Sequence, residues 1–127
     1  MADEIQVNGE CHCSKIKINA RVRKSEVRAC HCIDCQKFSG APLRAIAVAP
    51  SDKISISGNP KEYVKISDSG NKRIQAFCDN CGTQLYATGL DRTSFNLRCG
   101  FLEQKKELKP KQHVFTKSAV PWLNFKN

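Results

Sequence analysis

Hydrophobic and polar residues alternate strictly along Ser14–Arg23, where Ile16, Ile18, Ala20 and Val22 sit between Lys15, Lys17, Asn19, Arg21 and Arg23. Successive side chains of a strand point to opposite faces, so this segment is predicted to be an antiparallel strand with one buried face. The alternation recurs at Val27, Ala29 and His31 against Arg28, Cys30 and Cys32, which predicts a second strand carrying Cys30 and Cys32 on one face. Ile46 with Val48, and Ile54 with Ile56, mark two more strands separated by Pro50-Ser51-Asp52. Lys61 to Ile66, Arg73 to Phe77 and Thr83 to Ala87 read the same way, with a hairpin turn at Asp68-Ser69-Gly70-Asn71. Ser94 to Phe101 places Phe95, Leu97, Cys99 and Phe101 on one side. Helix is scarce: a short turn over Asp34 to Ser39, stopped by Gly40 and Pro42, and a second at Leu102 to Leu108. The pattern predicts an all-β fold of about eight to ten short strands.

Cysteine changes this picture most. Seven of the eight cysteines fall in three clusters: Cys11-His12-Cys13, Cys30-His31-Cys32-Ile33-Asp34-Cys35 and Cys78-Asp79-Asn80-Cys81. Thiolates two or three residues apart suit a soft cation, which takes four ligands when it braces a fold and three plus an open position when it does chemistry. A disulfide framework is the alternative, but cysteines two apart do not bond without strain, and the amino-terminal segment shows no apolar leader. The chain is therefore expected to be reduced and cytoplasmic, with zinc at the thiols. Cys78 to Gly82 has the form of a zinc knuckle, whose glycine permits a left-handed turn. Joining Cys11 and Cys13 to Cys78 and Cys81 gives a closed four-thiolate site, and Cys30, Cys32 and Cys35 then form a triad with a vacant position. Spacing alone does not force this division, since Cys30 and Cys32 could join the knuckle instead, but three thiols within six residues can hold one ion unaided.

Three further residues compete for the open position. Cys99 shares a strand face with Phe95, Leu97 and Phe101, so it is expected to be a small buried hydrophobe. His12 and His31 alternate with the flanking cysteines and are expected to point away from them, and His113 is expected to be exposed or a packing residue.

Length and charge narrow the function. The 127 residues suggest one domain, and a hydrophobic content of 40% allows only a thin core. No apolar run approaches the ~20 residues that cross a bilayer. The formal charge is +9; four thiolates about a divalent ion carry about −2 and three about −1, which brings it down to about +6. The bases are scattered, and Glu103 and Glu107 interrupt the densest stretch, Lys105 to Lys111, so nucleic acid is not the expected partner. A modest positive field would attract a small anion.

The cluster-bearing segments resemble the glutathione-dependent formaldehyde-activating enzyme family, which also includes centromere protein V. They are Gly9-Glu10-Cys11-His12-Cys13, Cys30 through Pro42 with its Ser39-Gly40-Ala41-Pro42 extension, and Arg73 through Gly82, with a weaker tail at His113-Val114-Phe115 and Pro121-Trp122. The resemblance covers Gly9 to about Trp122, close to a single domain over 1–127. It implies coiled antiparallel β-sheets, sometimes called a β-tent, as in small zinc-binding chaperones of Rab GTPases. It implies two zincs per chain: a structural one on Cys11, Cys13, Cys78 and Cys81, and a catalytic one on Cys30, Cys32 and Cys35. The implied activity is carbon–sulfur lyase chemistry on an adduct of glutathione and formaldehyde. Glutathione carries two carboxylates, and Lys37, Arg44, Arg73 and Arg98 are the candidate cations to orient it. Asp34, inside the triad, would shuttle a proton or accept backbone hydrogen bonds in the turn. One departure is Ser14, which stands where most members have glycine. The rival reading is a non-enzymatic, zinc-braced glutathione carrier or protein-docking module.

Overall fold

The computed structural model describes residues 3–66 and 69–125. Asp68 of the expected hairpin turn lies outside them; Ser69 to Asn71 lead directly into the next strand. Ten strands and one α-helix are present among the described residues, with several short 3-10 turns. The strands are β1 (Glu4–Glu10), β2 (Lys17–Arg23), β3 (Arg28–Cys30), β4 (Arg44–Pro50), β5 (Ile54–Ser57), β6 (Lys61–Ile66), β7 (Lys72–Phe77), β8 (Gln84–Gly89), β9 (Ser94–Arg98) and β10 (Gln112–Val114); the helix is α1 (Ile33–Ser39).

Two open sheets stack. The smaller runs β1-β2-β5 and the larger β10-β3-β4-β9-β8-β7-β6. All neighbours are antiparallel except β10 and β3, which run parallel. The alternation on β2 does what the pattern predicts: Ile16, Ile18, Ala20 and Val22 are each 2% exposed or less, and the lysines and arginines between them face solvent. These side chains meet Ala47, Ala49, Ala76, Tyr86, Phe95 and Leu97 from the larger sheet in one apolar core. Burying apolar area at ~25 cal/mol per Å² drives the stacking. β4 is buried on both faces because it is central, and its second face carries a separate small cluster of Cys30, Cys35 and Ile46.

Three elements differ from expectation. β1 forms from Ile5, Val7 and Gly9, a run too short to stand out, and pairs with β2 along its whole length. β9 stops at Arg98, and Cys99–Phe101 turns as a 3-10 segment, so Phe101 leaves the strand face it was expected to share. Leu102–Leu108 is not a helix: only Lys105–Glu107 makes a 3-10 turn, between two buried leucines. The backbone here is drawn instead to the small sheet, by a bridge between Gly9 and Leu102 and a bond from Glu103 N–H to the Asn8 carbonyl at 2.8 Å. A Cβ on Gly9 would overlap the Phe101 carbonyl oxygen, so this approach requires glycine.

Candidate metal centres and the adjoining cleft

Cys11 and Cys13 leave the end of β1, and Cys78 and Cys81 follow β7. Both are tight turns of similar build. Ser14 N–H donates to the Cys11 carbonyl at 2.9 Å and Gly82 N–H to the Cys78 carbonyl at 2.8 Å. Each turn closes on a residue with left-handed backbone, Ser14 at φ 69° and Gly82 at φ 81°. The four sulfurs come together within 4.8 Å of one another, with Cys13 Sγ 3.6 Å from both Cys11 Sγ and Cys78 Sγ. Ile16 N–H points at Cys11 Sγ at 3.3 Å, and Thr83 Oγ1 lies 3.2 Å from Cys81 Sγ. The Thr83 hydroxyl holds the Cys81 thiol down to about 5, and the Asn80 side chain holds Cys13 below its ordinary value. The same Thr83 oxygen accepts from His12 N–H at 3.1 Å and so ties the two turns together.

The second group is built on one strand end and one helix start. Cys30 ends β3, Cys32 caps α1 by accepting from Cys35 N–H at 3.3 Å, and Cys35 lies in the first helical turn. Gly40, at φ 67°, ends the helix. The strand stops at Cys30, not at Cys32 as the alternation suggested, because the chain turns there to start the helix; the three sulfurs still lie within 4.8 Å of one another. The Cys35 thiol donates to Cys30 and holds it down to about 5, helped by the positive charge of Arg44. Cys35 is correspondingly raised by that bond and by burial.

Both groups contain cysteine alone. His12 is exposed. His31, just past the end of β3, is fully buried, with Nε2 2.8 Å from His113 Nδ1. His113 stacks on Phe125 with centroids 4.2 Å apart, so it is a packing residue. Cys99 sits in the main core, where burial pushes its thiol up to about 12. All eight cysteines are free thiols, which removes the disulfide framework. Asp34 pairs with Lys65 at 3.4 Å.

The four candidate cations separate. Arg44 faces Cys30 across the β3–β4 pair, and Arg98 faces Ile46 across β4–β9. Arg44 and Ile46 are two apart, so all four side chains share one face of the large sheet. That row continues through Val48, Asn96, Ala87 and Gln75. Gln75 is the residue sequence reasoning missed: its Oε1 accepts from Arg98 Nη2 at 3.0 Å and from Arg44 Nη1 at 3.4 Å. The available signal was a polar side chain at an inward position of β7, two residues from Arg73. Burial, then the nearby Arg44 charge, lower Arg98 to about 9. Both arginines line a cleft of about 590 Å³ with walls from Phe38, Leu43, Thr83 and Phe101. The cleft runs from the helix that carries Cys35 to the turn that carries Cys81. Arg73 is half-buried on β7, opposite Gly89 and Lys65, and Lys37 is exposed on the outer side of α1 beside Trp122. Neither lines the cleft.

Two open stacked sheets with two sets of converging thiols, each able to hold a metal ion, define a small cysteine-rich β domain. The chain belongs to the glutathione-dependent formaldehyde-activating enzyme family, whose sequence profile matches residues 6–118. Among its curated relatives are proteins provisionally named as glutathione-dependent formaldehyde-activating enzymes. That of Talaromyces marneffei is 30% identical over 78 residues, which is 60% of this chain and 41% of the relative. That of Sordaria macrospora is 31% identical over 83 residues, 60% of this chain and 34% of the relative. The matched region thus spans well under half the length of these relatives. A Rhodobacter sphaeroides protein of known crystal structure shares the fold, with a TM-score of 0.64 at 17% identity over 84% of this chain and 99% of its own. No helix of the described residues is long and apolar enough to cross a membrane.

Proposed function

We propose that this chain is a zinc-dependent carbon–sulfur lyase acting on an adduct of glutathione and an aldehyde, such as S-hydroxymethylglutathione, and that it works in the reducing cytoplasm. The observation that carries the reading is the triad of Cys30, Cys32 and Cys35, its first and last thiols buried and Cys32 partly exposed, beside a cleft with two buried cations. An all-thiol donor set of four, and another of three, suits zinc. In this reading Cys11, Cys13, Cys78 and Cys81 hold a structural ion and Cys30, Cys32 and Cys35 a catalytic one. Bound at the triad, zinc would supply Lewis acidity and lower the pKa of a thiol.

The chain's own residues prepare that site. The Cys32 cap, with Cys30 at the strand end and Cys35 in the first helical turn, holds the three thiols in place before an ion arrives. Arg44 and Arg98 put positive charge behind them, which favours thiolate over thiol. Phe38, Leu43 and Phe101 give the cleft apolar walls that exclude water from a bound adduct. In the lyase direction the adduct's hydroxyl gives up its proton, its oxygen forms the carbonyl bond to carbon as the carbon–sulfur bond breaks with the electron pair on sulfur, and the thiolate takes up that proton. The products are an aldehyde and the free thiol.

The test follows formaldehyde and glutathione by NMR with purified protein and with Cys35→Ser. Faster exchange between free and bound formaldehyde with the unaltered chain, lost in the variant, is expected. Equal rates would end the reading.

A further inference from the structure

The geometry points to Arg44 and Arg98, bridged by Gln75, as a carboxylate-binding subsite in the cleft beside the Cys30–Cys32–Cys35 triad, one that takes a carboxylate of the thiol substrate while Lys37 and Arg73 take no part. The inference rests on the glutathione reading for the identity of that substrate, and it sorts two binding residues from the four basic candidates.

Both guanidiniums are buried, at 7% and 5% exposure, and they share one neutral acceptor, the Gln75 side-chain oxygen. Arg98 has one further acceptor, the Asn96 carbonyl at 3.1 Å. No ion pair among the described residues involves either arginine. The Nε of each is buried with no acceptor at all. Buried charges are ordinarily paired, and buried N–H donors ordinarily find partners. Two adjacent like charges bridged only by an amide are therefore an arrangement short of an anion.

The thiols supply part of that negative charge but not all of it. Three thiolates about a divalent ion carry about −1, against two guanidiniums, which leaves the pocket about one negative charge short. A carboxylate matches the deficit and the planar, forked geometry of arginine. The cleft of about 590 Å³ falls within the range of small-ligand sites, and its walls of Phe38, Leu43 and Phe101 would lower the dielectric around the pair. Phe38 also packs under the Arg44 guanidinium, 5.5 Å from ring centroid to Cζ, and so limits where that group can swing.

Calorimetry on the metal-loaded full chain tests this with four probes: reduced glutathione, its diethyl ester, 3-mercaptopropionate, and S-methylglutathione, which keeps both carboxylates and blocks the thiol. The subsite predicts that esterification weakens binding about tenfold to a hundredfold, the scale of hydrogen bonds to charged groups. It predicts measurable binding of S-methylglutathione, and it predicts that Arg98→Gln and Arg44→Gln remove the preference for acid over ester while Arg73→Gln and Lys37→Gln keep it. If glutathione and its diester bind the unaltered chain equally, the subsite is overturned and the thiol reading stands. If glutathione does not bind but 3-mercaptopropionate does, and Arg98→Gln abolishes that binding, the subsite stands and glutathione is the wrong substrate. Absence of binding by every probe overturns both. The ester comparison needs no variant, so it can overturn the subsite even if an arginine replacement does not fold, and in that case Arg73→Gln and Lys37→Gln still test the location: loss of the acid preference in either overturns the assignment to Arg44 and Arg98.

Discussion

Arg44 lies directly across the antiparallel pair from Cys30, so a buried guanidinium faces the first thiol of the triad. The sulfurs of the four-thiol group are held instead by Thr83, Asn80 and backbone N–H groups. The two groups also differ in what they join. Cys30, Cys32 and Cys35 belong to one strand end and its adjoining helix, and Cys13 meets Cys78 across 65 positions of chain. Replacement of Cys78 by serine is therefore expected to unfold the domain, since it releases the end of β1 from the end of β7. Replacement of Cys35 by serine is expected to leave the sheets intact and lower metal content to about one ion per chain. Circular dichroism with elemental analysis of both variants checks this; equal loss of structure in both would refute the division of labour.

The left-handed backbone of Ser14 gives a second expectation. At φ 69° a side chain is strained, and the equivalent position of the other turn is Gly82. The Ser14 hydroxyl recovers one exposed bond to Glu10 Oε1 at 2.8 Å. Relief of the strain is the larger effect, so Ser14→Gly should stabilise the chain by about 0.5–1 kcal/mol, net of the greater freedom glycine has when unfolded. Denaturant titration of the metal-loaded protein measures it, and a variant less stable than the parent would contradict the assignment of strain.

What could be read in advance was whatever repeats or clusters locally. The alternation around Ile18 and Ala20 marked β2, Gly40 marked the end of α1, and the spacing of Cys78, Cys81 and Gly82 marked the tight turn after β7. All three signals lie within a few residues and report local geometry. β10, only three residues long, escaped notice because it exists by pairing with β3 more than eighty residues away. Gln75 escaped for the same reason: its role depends on Arg44 and Arg98 arriving from two other strands. The sequence named the arginines but could not separate them from Lys37 and Arg73, because burial beside the cleft is decided by strand order.

Gly9 packs directly against the turn after β9. Its missing Cβ is replaced by the Phe101 carbonyl and the Leu102 backbone, and backbone atoms cannot rotate away as a side chain would. Gly9→Ala should push the turn off β1, loosen the bond from Glu103 N–H to the Asn8 carbonyl, and destabilise by about 1–3 kcal/mol. A melting temperature unchanged in Gly9→Ala would show that the turn can move without penalty.

Glu62, on edge strand β6, takes a two-pronged bond from Arg92, with both N···O distances 2.7 Å. Arg92 lies in the turn between β8 and β9, so the pair reaches past β7 to hold the last strand of the sheet. The Arg92 bonds lower the Glu62 carboxyl below its ordinary 4.5. A carboxylate with a folded pKa below its unfolded one contributes stability above the unfolded value and loses it as pH falls through the folded value. Both side chains are partly exposed, at 30% for Glu62 and 45% for Arg92, so screening keeps the contribution to about 0.5–1 kcal/mol. Glu62→Gln should therefore be less stable than the parent by that amount near neutral pH, and the difference should shrink once the pH drops below the ordinary carboxylate range. Since acid also protonates thiolates and releases metal, the comparison belongs between parent and variant at each pH, where those losses are common to both. A gap that stayed constant with pH would mean that Glu62 acts through packing and not through its charge.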